Sequence, residues 1–277
     1  MPIQNRVFAV IAAFPLAMLV GVASLGGIFF AGTYARETAN WAAQGIGQDY
    51  FDLFFAVPWL AISAVLALRG SRRALFLLAG GYLYTVYEFA IYAFAVHFNA
   101  LFPVYCATLG LSFFALAGVG ALLVRQNAAS WYVEPIPRRT AGLFLVAVGV
   151  LFGVAWLGEI LGAIAHGTAP KSVLDAGAAT NPVHVLDLSV VLPLYLVAGV
   201  ALLRQRPIGW LLAPVLMSFG VLMSGSIVAL MFVMRGRGFD VSGAVLGGMT
   251  AVATASGVVL VLLVRRLRPS SSVPART

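Results

Sequence analysis

The sequence predicts an all-α fold: a polytopic membrane helix bundle of about eight transmembrane helices, built as two parallel four-helix repeats. The first observation is composition, because 62% of the 277 residues are hydrophobic and only 9% are charged. Soluble domains have about 45–50% apolar and about 25% charged residues. The second observation is the alternation of arginine clusters along the chain, and the third is an internal match between its two halves.

Apolar runs bounded by charges and turn residues define the candidate spans. A helix needs about 20 apolar residues to cross the ~30 Å hydrocarbon core of a bilayer. The runs that meet this requirement are residues 7–32, 50–68, 74–96, 101–124, 140–166, 183–203, 208–234 and 241–264. The loops between them are short, so no room remains for a separate soluble domain.

The basic residues indicate an orientation, since cytoplasmic loops of membrane proteins are rich in arginine and lysine. Thirteen of the 17 basic residues lie at one end of the predicted spans: Arg6, Arg69, Arg72, Arg73, Arg125, Arg138, Arg139, Arg204, Arg206, Arg265, Arg266, Arg268 and Arg276. Only Arg36, Lys171, Arg235 and Arg237 lie at the other end. This asymmetry predicts a plasma (inner) membrane protein with both termini in the cytoplasm. The net charge of +8 therefore reflects orientation and contact with anionic lipid at the cytoplasmic face, near Trp131 and Tyr132, rather than nucleic-acid binding.

Two collinear matches indicate an internal duplication. The segment LVGVASLGGI at 19–28 matches LFGVAWLGEI at 151–160 in seven of ten positions, at an offset of 132. Further on, Asp52, Leu53, Pro58 and Arg69 recur as Asp187, Leu188, Pro193 and Arg204 at an offset of 135. We therefore expect repeats over 1–127 and 140–266, a cytoplasmic linker at 128–139 and a disordered cytoplasmic tail at 267–277. The paired prolines predict a kink at the same depth in each repeat.

Ionisable residues inside spans are costly and are candidates for function. Glu88 is predicted to be the deepest of them, and Tyr84 and Tyr92 share its helix face at four-residue spacing. No arginine or lysine lies within a span to neutralise Glu88. Two interpretations stay open: a neutral acid hydrogen-bonded to these tyrosines, or a site for a cation or a relayed proton.

Further acidic residues lie toward the outer ends of the predicted spans. Glu159 stands where the first repeat has Gly27, and it is close enough to a helix end to reach interfacial water. Asp52 and Asp187 are the repeat-related pair. Helix capping competes with function as the explanation of Asp52, because with Asp49 as N-cap Asp52 would occupy the third helical position. Asp187 lies too far inside its helix for capping, which makes it the better functional candidate.

The three histidines His97, His166 and His184 all fall near predicted outer helix ends. Together with Asp187 they could ligate zinc or copper, and histidines on different helices could hold a haem. No pair has the spacing of a known metal motif, and helix ends are also where polar residues gather for structural reasons. The single cysteine, Cys106, excludes an intramolecular disulfide and c-type haem attachment.

Three functional classes remain, since the sequence contains no nucleotide-binding loop and no nucleophile elbow. The favoured one is transport, or proton or cation handling, through an acidic outer-facing site between the repeats, formed by Glu88, Glu159, Asp52 and Asp187 with Tyr84 and Tyr92. The first alternative is a structural, assembly or sensor membrane subunit without chemistry. The second is an outward-facing metal- or haem-dependent membrane enzyme.

Overall fold

The computed structural model describes residues 8–268, which are almost entirely helical and contain no named strand. Eight of their helices are long and apolar enough to cross a membrane, as predicted. In chain order they are α1 Phe8–Phe29, α2 Ala39–Leu68, α3 Arg72–Ala95, α4 Phe102–Arg125, α5 Arg138–Ala165, α6 Pro182–Leu203, α7 Pro207–Gly236 and α8 Gly243–Val264. A short helix, Lys171–Ala176, lies between α5 and α6.

The start of α2 differs most from the predicted spans, because α2 begins at Ala39 rather than near residue 50. Its N-cap is Thr38, whose hydroxyl accepts a hydrogen bond of 3.1 Å from the backbone N–H of Trp41. The polar stretch that follows forms helix because its polar side chains Gln48 and Asp49 are buried in the bundle. Asp49 is therefore an interior residue, and the expectation that it caps the helix is wrong.

Both α2 and α6 contain a π-helical turn, over Asp52–Ala56 and Asp187–Val191. Pro58 and Pro193 occupy the same position just after it. A proline has no N–H, and its ring clashes with the carbonyl four residues earlier, so a widened turn relieves the conflict. The predicted kink sites thus occur at matching places in α2 and α6, although the two-repeat arrangement as a whole stays a prediction.

Helix neighbours follow the same order in each half. In the first half, α1 packs against α2 and α4, and α3 packs against α2 and α4; in the second, α5 packs against α6 and α8, and α7 against α6 and α8. The halves meet where α7 packs against α2 and α3. The contact is close, since a Cβ on Gly80 of α3 would lie 2.2 Å from the Cβ of Ser218, and one on Gly47 of α2 would lie 2.4 Å from the Cα of Leu230.

The outer surface of the bundle is apolar. Large hydrophobic side chains point outward from most of the helices, among them Met18, Phe29, Phe54, Phe94, Phe114, Val154, Leu161 and Phe232. A water-soluble protein rarely exposes apolar surface on this scale. The surface and the eight apolar helices are compatible with an integral membrane protein.

The linker between the halves is packed against the bundle. Trp131 and Tyr132, expected at a lipid interface, are buried, and the Arg72 guanidinium lies 4.9 Å from the centre of the Trp131 ring. The backbone N–H of Arg268 donates to the Trp131 carbonyl at 2.8 Å, so the chain after α8 starts ordered. Most of the predicted tail, 269–277, and residues 1–7 at the other terminus lie outside the described residues.

Candidate functional site

The first carboxyl of the site, Asp49, is held by two tyrosine hydroxyls. Tyr34, in the loop between α1 and α2, donates to Asp49 Oδ2 at 2.6 Å, and Tyr92 of α3 donates to Oδ1 at 2.8 Å. Burial, and then the negative charge of Asp49, raise the pKa of the Tyr34 hydroxyl well above its usual value. Tyr34 therefore keeps its proton and acts as the donor.

The second carboxyl, Asp52, is fully enclosed but only half satisfied. Tyr84 donates to its Oδ1 at 2.6 Å, and the Gln48 amide donates to the same oxygen at 3.1 Å. Asp52 Oδ2 is buried and has no hydrogen-bond partner within residues 8–268. An unpaired buried acceptor costs about 1–3 kcal/mol, so this oxygen favours a proton or another positive partner.

Asp52 is also deeper than predicted. It follows the start of α2 by thirteen residues, which at 1.5 Å per residue is about 20 Å along the helix. Its partner Tyr84 lies one turn farther than Glu88 from the end of α3. The expectation that Asp52 lies near the outer face is corrected, and so is the expectation that Glu88 is the deepest carboxyl.

Glu88 is the third carboxyl, and it is 5% exposed. Tyr84 and Tyr92, predicted as its partners, instead donate to Asp52 and Asp49. Within the described part of the chain, the Glu88 carboxyl makes no hydrogen bond, and the two tyrosines that bind the aspartates lie one helical turn on either side of it. It faces a cavity instead.

That cavity, which we call the central cavity, has a volume of about 250 Å³ and lies between the two halves at the end of the bundle away from the arginine clusters. Glu88, Gln44, Gln48 and Tyr92 are among the residues that the first half contributes. The second half contributes Trp156, Ser172, Asn181, Val183, His184, Met223, Ile227 and Leu230. Cavities that bind small molecules are typically this mixture of apolar surface with a few polar groups.

Asp187 has separate surroundings. It accepts hydrogen bonds from Trp156 Nε1 at 2.8 Å and from the Tyr87 hydroxyl at 3.1 Å. It is only partly buried, and it lines a smaller cavity of about 60 Å³ beside α7 and α8. Asp187 is therefore linked to the central carboxyls through α3, where Tyr87 adjoins Glu88, but it does not line the central cavity.

Glu159 and Gly27 occupy matching positions in the two similar segments, so their surroundings can be compared. A Cβ on Gly27 would lie 1.7 Å from Asp49 Oδ2, so the Asp49 carboxyl occupies the space that a side chain at 27 would fill. At the offset of 135 that relates Asp52 to Asp187, Asp49 corresponds to His184, whose Nε2 lies 3.4 Å from Glu159 Oε2. This separation fits an ion pair when the imidazole is protonated, but the geometry is not that of a hydrogen bond. Each half thus has a carboxyl here, from α2 in the first half and from α5 in the second.

The three histidines do not come together. His97 Nδ1 lies 3.0 Å from Glu37 Oε2, and His166 Nδ1 lies 2.7 Å from the Gly162 carbonyl. The His184 ring lies 4.9 Å from the Trp156 ring, centre to centre, with the two planes tilted by 42°. No group of three His, Cys, Asp or Glu residues within 8–268 has an arrangement that could hold a metal ion. Each histidine contacts different partners, so the three do not form the predicted shared zinc or copper site, whereas the haem alternative stays a prediction.

Three residues of the site were not predicted: Tyr34, Gln48 and Asp49. A signal for two of them exists, since Gln48 and Asp49 precede Asp52 by four and three residues and so share its face in a helix. This spacing was not used because residues 39–49 are polar, and a polar stretch before an apolar span is typical of a loop.

Comparisons of the chain with protein-family models, with curated proteins and with solved structures find no match. Asp49, Asp52 and Glu88 are three buried carboxyls connected through Tyr84 and Tyr92 of α3, and we call them the carboxyl cluster. Within the described residues, no arginine or lysine lines the central cavity beside this cluster.

Asp52 should be coupled to its tyrosine more strongly than Asp187 is to its own. In double-mutant cycles we expect a coupling of about 1–3 kcal/mol for Asp52→Ala with Tyr84→Phe, because the bond is short and enclosed. For Asp187→Ala with Tyr87→Phe we expect about 0.5–1 kcal/mol, since that bond is longer and partly exposed. Unfolding of the purified variants in detergent measures both, and equal couplings would contradict the ranking.

Proposed function

We propose that this chain is a multi-pass membrane protein that binds and transports protons or a cation through the central cavity. The observation that carries the proposal is Glu88, a carboxyl that is buried, faces a cavity shared by both halves and makes no hydrogen bond within residues 8–268. A structural carboxyl would be expected to use its oxygens, as Asp49 does with two tyrosines.

Electrostatics supports a positively charged occupant. Several carboxylates close together in a medium of low dielectric constant cannot all be ionised without a compensating charge. The side chains that bind the two aspartates are hydroxyl and amide donors, and no arginine or lysine among the described residues lines the cavity; its one histidine, His184, lies beside Glu159. Protons or a bound cation would supply the missing charge, and exchange between them is the chemistry of many intramembrane carboxyl sites.

The cavity reaches one end of the bundle, and two of the helices around it contain a widened turn. Ser172 and Asn181, from the connection between α5 and α6, line the cavity, so it extends to the end of the bundle where that connection lies. With the orientation predicted from the arginines, this end faces outward. The π-helical turns of α2 and α6 lie next to the aspartates and can absorb small helix rotations. This supports alternating exposure of a site between the halves, as in transporters built from parallel repeats.

Flux measurements on liposomes test the proposal. Purified protein reconstituted into liposomes should carry protons or alkali cations when a valinomycin potassium potential is imposed, with an entrapped pH dye or a cation-sensitive dye as the readout. Protein-free liposomes, and liposomes holding heat-denatured protein, provide the background. Flux no greater than this background, for protons, for alkali cations and for an organic ammonium alike, would contradict transport and favour a subunit role.

A further inference from the structure

Two walls of the central cavity differ in chemistry, and the difference indicates what kind of cation fits. The wall from α2 and α3 contains Gln44, Gln48, Glu88 and Tyr92. The wall from α7 contains Met223, Ile227 and Leu230 and no polar side chain among the described residues. A molecule filling this space would place a polar or charged part against the first wall and an apolar part against the second.

We propose, on the basis of the transport function proposed above, that the central cavity binds a small organic ammonium ion, with its cationic nitrogen at Glu88 and its hydrocarbon part against α7. The carboxyl of Glu88 is more than nine-tenths buried, has no hydrogen-bond partner within 8–268 and faces the cavity. It is therefore free to pair with a cation that enters.

The aromatic lining supports an ammonium ion. Trp41, Trp156, Tyr34 and Tyr92 all line the cavity. Tryptophan and tyrosine rings attract organic cations through the electron density of their faces, and cages of such rings recognise quaternary ammonium groups. An organic ammonium is also weakly hydrated, so it enters an apolar space at lower cost than a compact metal ion.

The cavity has too few available oxygen ligands for a calcium or magnesium ion. Calcium takes six to eight oxygen ligands, and magnesium requires six in a nearly octahedral arrangement. Both oxygens of Asp49 and one of Asp52 already accept hydrogen bonds from side chains. The apolar wall from α7 would offer such an ion nothing, whereas it provides contact area for a hydrocarbon group.

Binding of matched ligands to the wild-type protein tests the inference, because one pair differs in charge and the other in apolar area. Choline and 3,3-dimethylbutan-1-ol have the same shape and differ in the positive charge, and titration calorimetry in detergent measures both. We expect choline to bind at least about tenfold more tightly, because only choline pairs with Glu88. Benzyltrimethylammonium should bind more tightly than tetramethylammonium, because its ring packs against α7.

Variants locate the site. Glu88→Gln should weaken choline binding by about tenfold or more, since the charge is lost while the size is kept. Glu134→Gln removes a carboxyl from an exposed loop residue and should leave binding unchanged. Ile227→Ala should reduce the ratio of affinities for benzyltrimethylammonium and tetramethylammonium, because it removes contact area from the apolar wall. Quenching of tryptophan fluorescence by bound benzyltrimethylammonium should decrease in Trp156→Phe.

The outcomes separate this inference from the transport proposal. Equal binding of choline and 3,3-dimethylbutan-1-ol, or no binding of any ammonium probe, would overturn the ammonium site, and this comparison needs no variant to fold. If the ammonium site were overturned but liposomes still showed proton or alkali-cation flux, the transport proposal would be kept without the ammonium site. Ammonium binding without any flux would instead support the site and contradict transport.

Discussion

Replacing Gly27 with alanine should destabilise the protein by about 2–4 kcal/mol, although alanine usually stabilises a helix interior by about 0.5–1 kcal/mol relative to glycine. The new Cβ would lie 1.7 Å from Asp49 Oδ2 and 2.5 Å from its Cγ. The Asp49 carboxyl must therefore move away from Tyr34 and Tyr92, the two donors that satisfy it. Thermal unfolding of the purified protein in detergent measures the loss.

Gly21→Ala is the matched control, because it lies in the same helix and its Cβ would meet no atom within 4 Å. We expect Gly21→Ala to unfold at the wild-type temperature or slightly higher. Equal stability of the two variants would show that Asp49 can relocate freely, and would contradict the close fit between α1 and α2.

The helical fold could be predicted from the sequence because lipid imposes a simple rule. Every spanning helix needs about 20 apolar residues, and seven of the eight spans follow that rule within a few residues at each end. The exception, the first part of α2, shows the limit. Its polar side chains face a protein interior, so they are neither exposed to lipid nor part of a loop. Hydropathy along one segment cannot detect this, because it depends on which helices pack around the segment.

The candidate site could be predicted only in part, for the same reason. Periodicity placed Tyr84, Glu88 and Tyr92 on one face of α3, and the structure has them there. Tyr84 and Tyr92 donate to carboxyls of α2. The periodicity of α3 alone does not show which helix packs against its polar face, so these partners could not be predicted. The two tyrosines therefore bond to Asp52 and Asp49, which leaves Glu88 facing the cavity. The sequence match pairs Gly27 with Glu159, and the structure explains why the first half has a glycine there. The Asp49 carboxyl fills the space beside Gly27, so a side chain at position 27 would collide with it.

The histidines show how position along a helix can mislead. All three lie near the end of the bundle that holds the acidic residues, but residues at one end of a bundle can face different directions. His97 contacts Glu37 in the loop after α1, whereas the His184 ring contacts Trp156 inside the bundle. Metal ligation needs side chains that converge to about 2 Å from one ion, and sequence spacing between separate helices does not determine that convergence.

Glu88→Gln should abolish the flux of protons or cations in liposomes while leaving the protein folded. The amide has nearly the same size as the carboxyl, but it cannot take up and release a proton and carries no charge for a cation. Since Glu88 accepts no hydrogen bond within residues 8–268, the substitution breaks none, and the similar size of the amide keeps the packing around the side chain. We therefore expect the unfolding temperature of Glu88→Gln to stay close to that of the wild type.

Two further variants decide whether loss of flux is specific. Glu134→Gln removes one carboxyl from an exposed loop residue far from the central cavity, so its flux should equal that of the wild type. Glu88→Ala enlarges the cavity and should lose flux together with some stability, because packing around a vacated side chain relaxes only in part. A Glu88→Gln protein that folds and conducts at the wild-type rate would show that Glu88 carries no proton or cation, because the charge it supplies would then be dispensable.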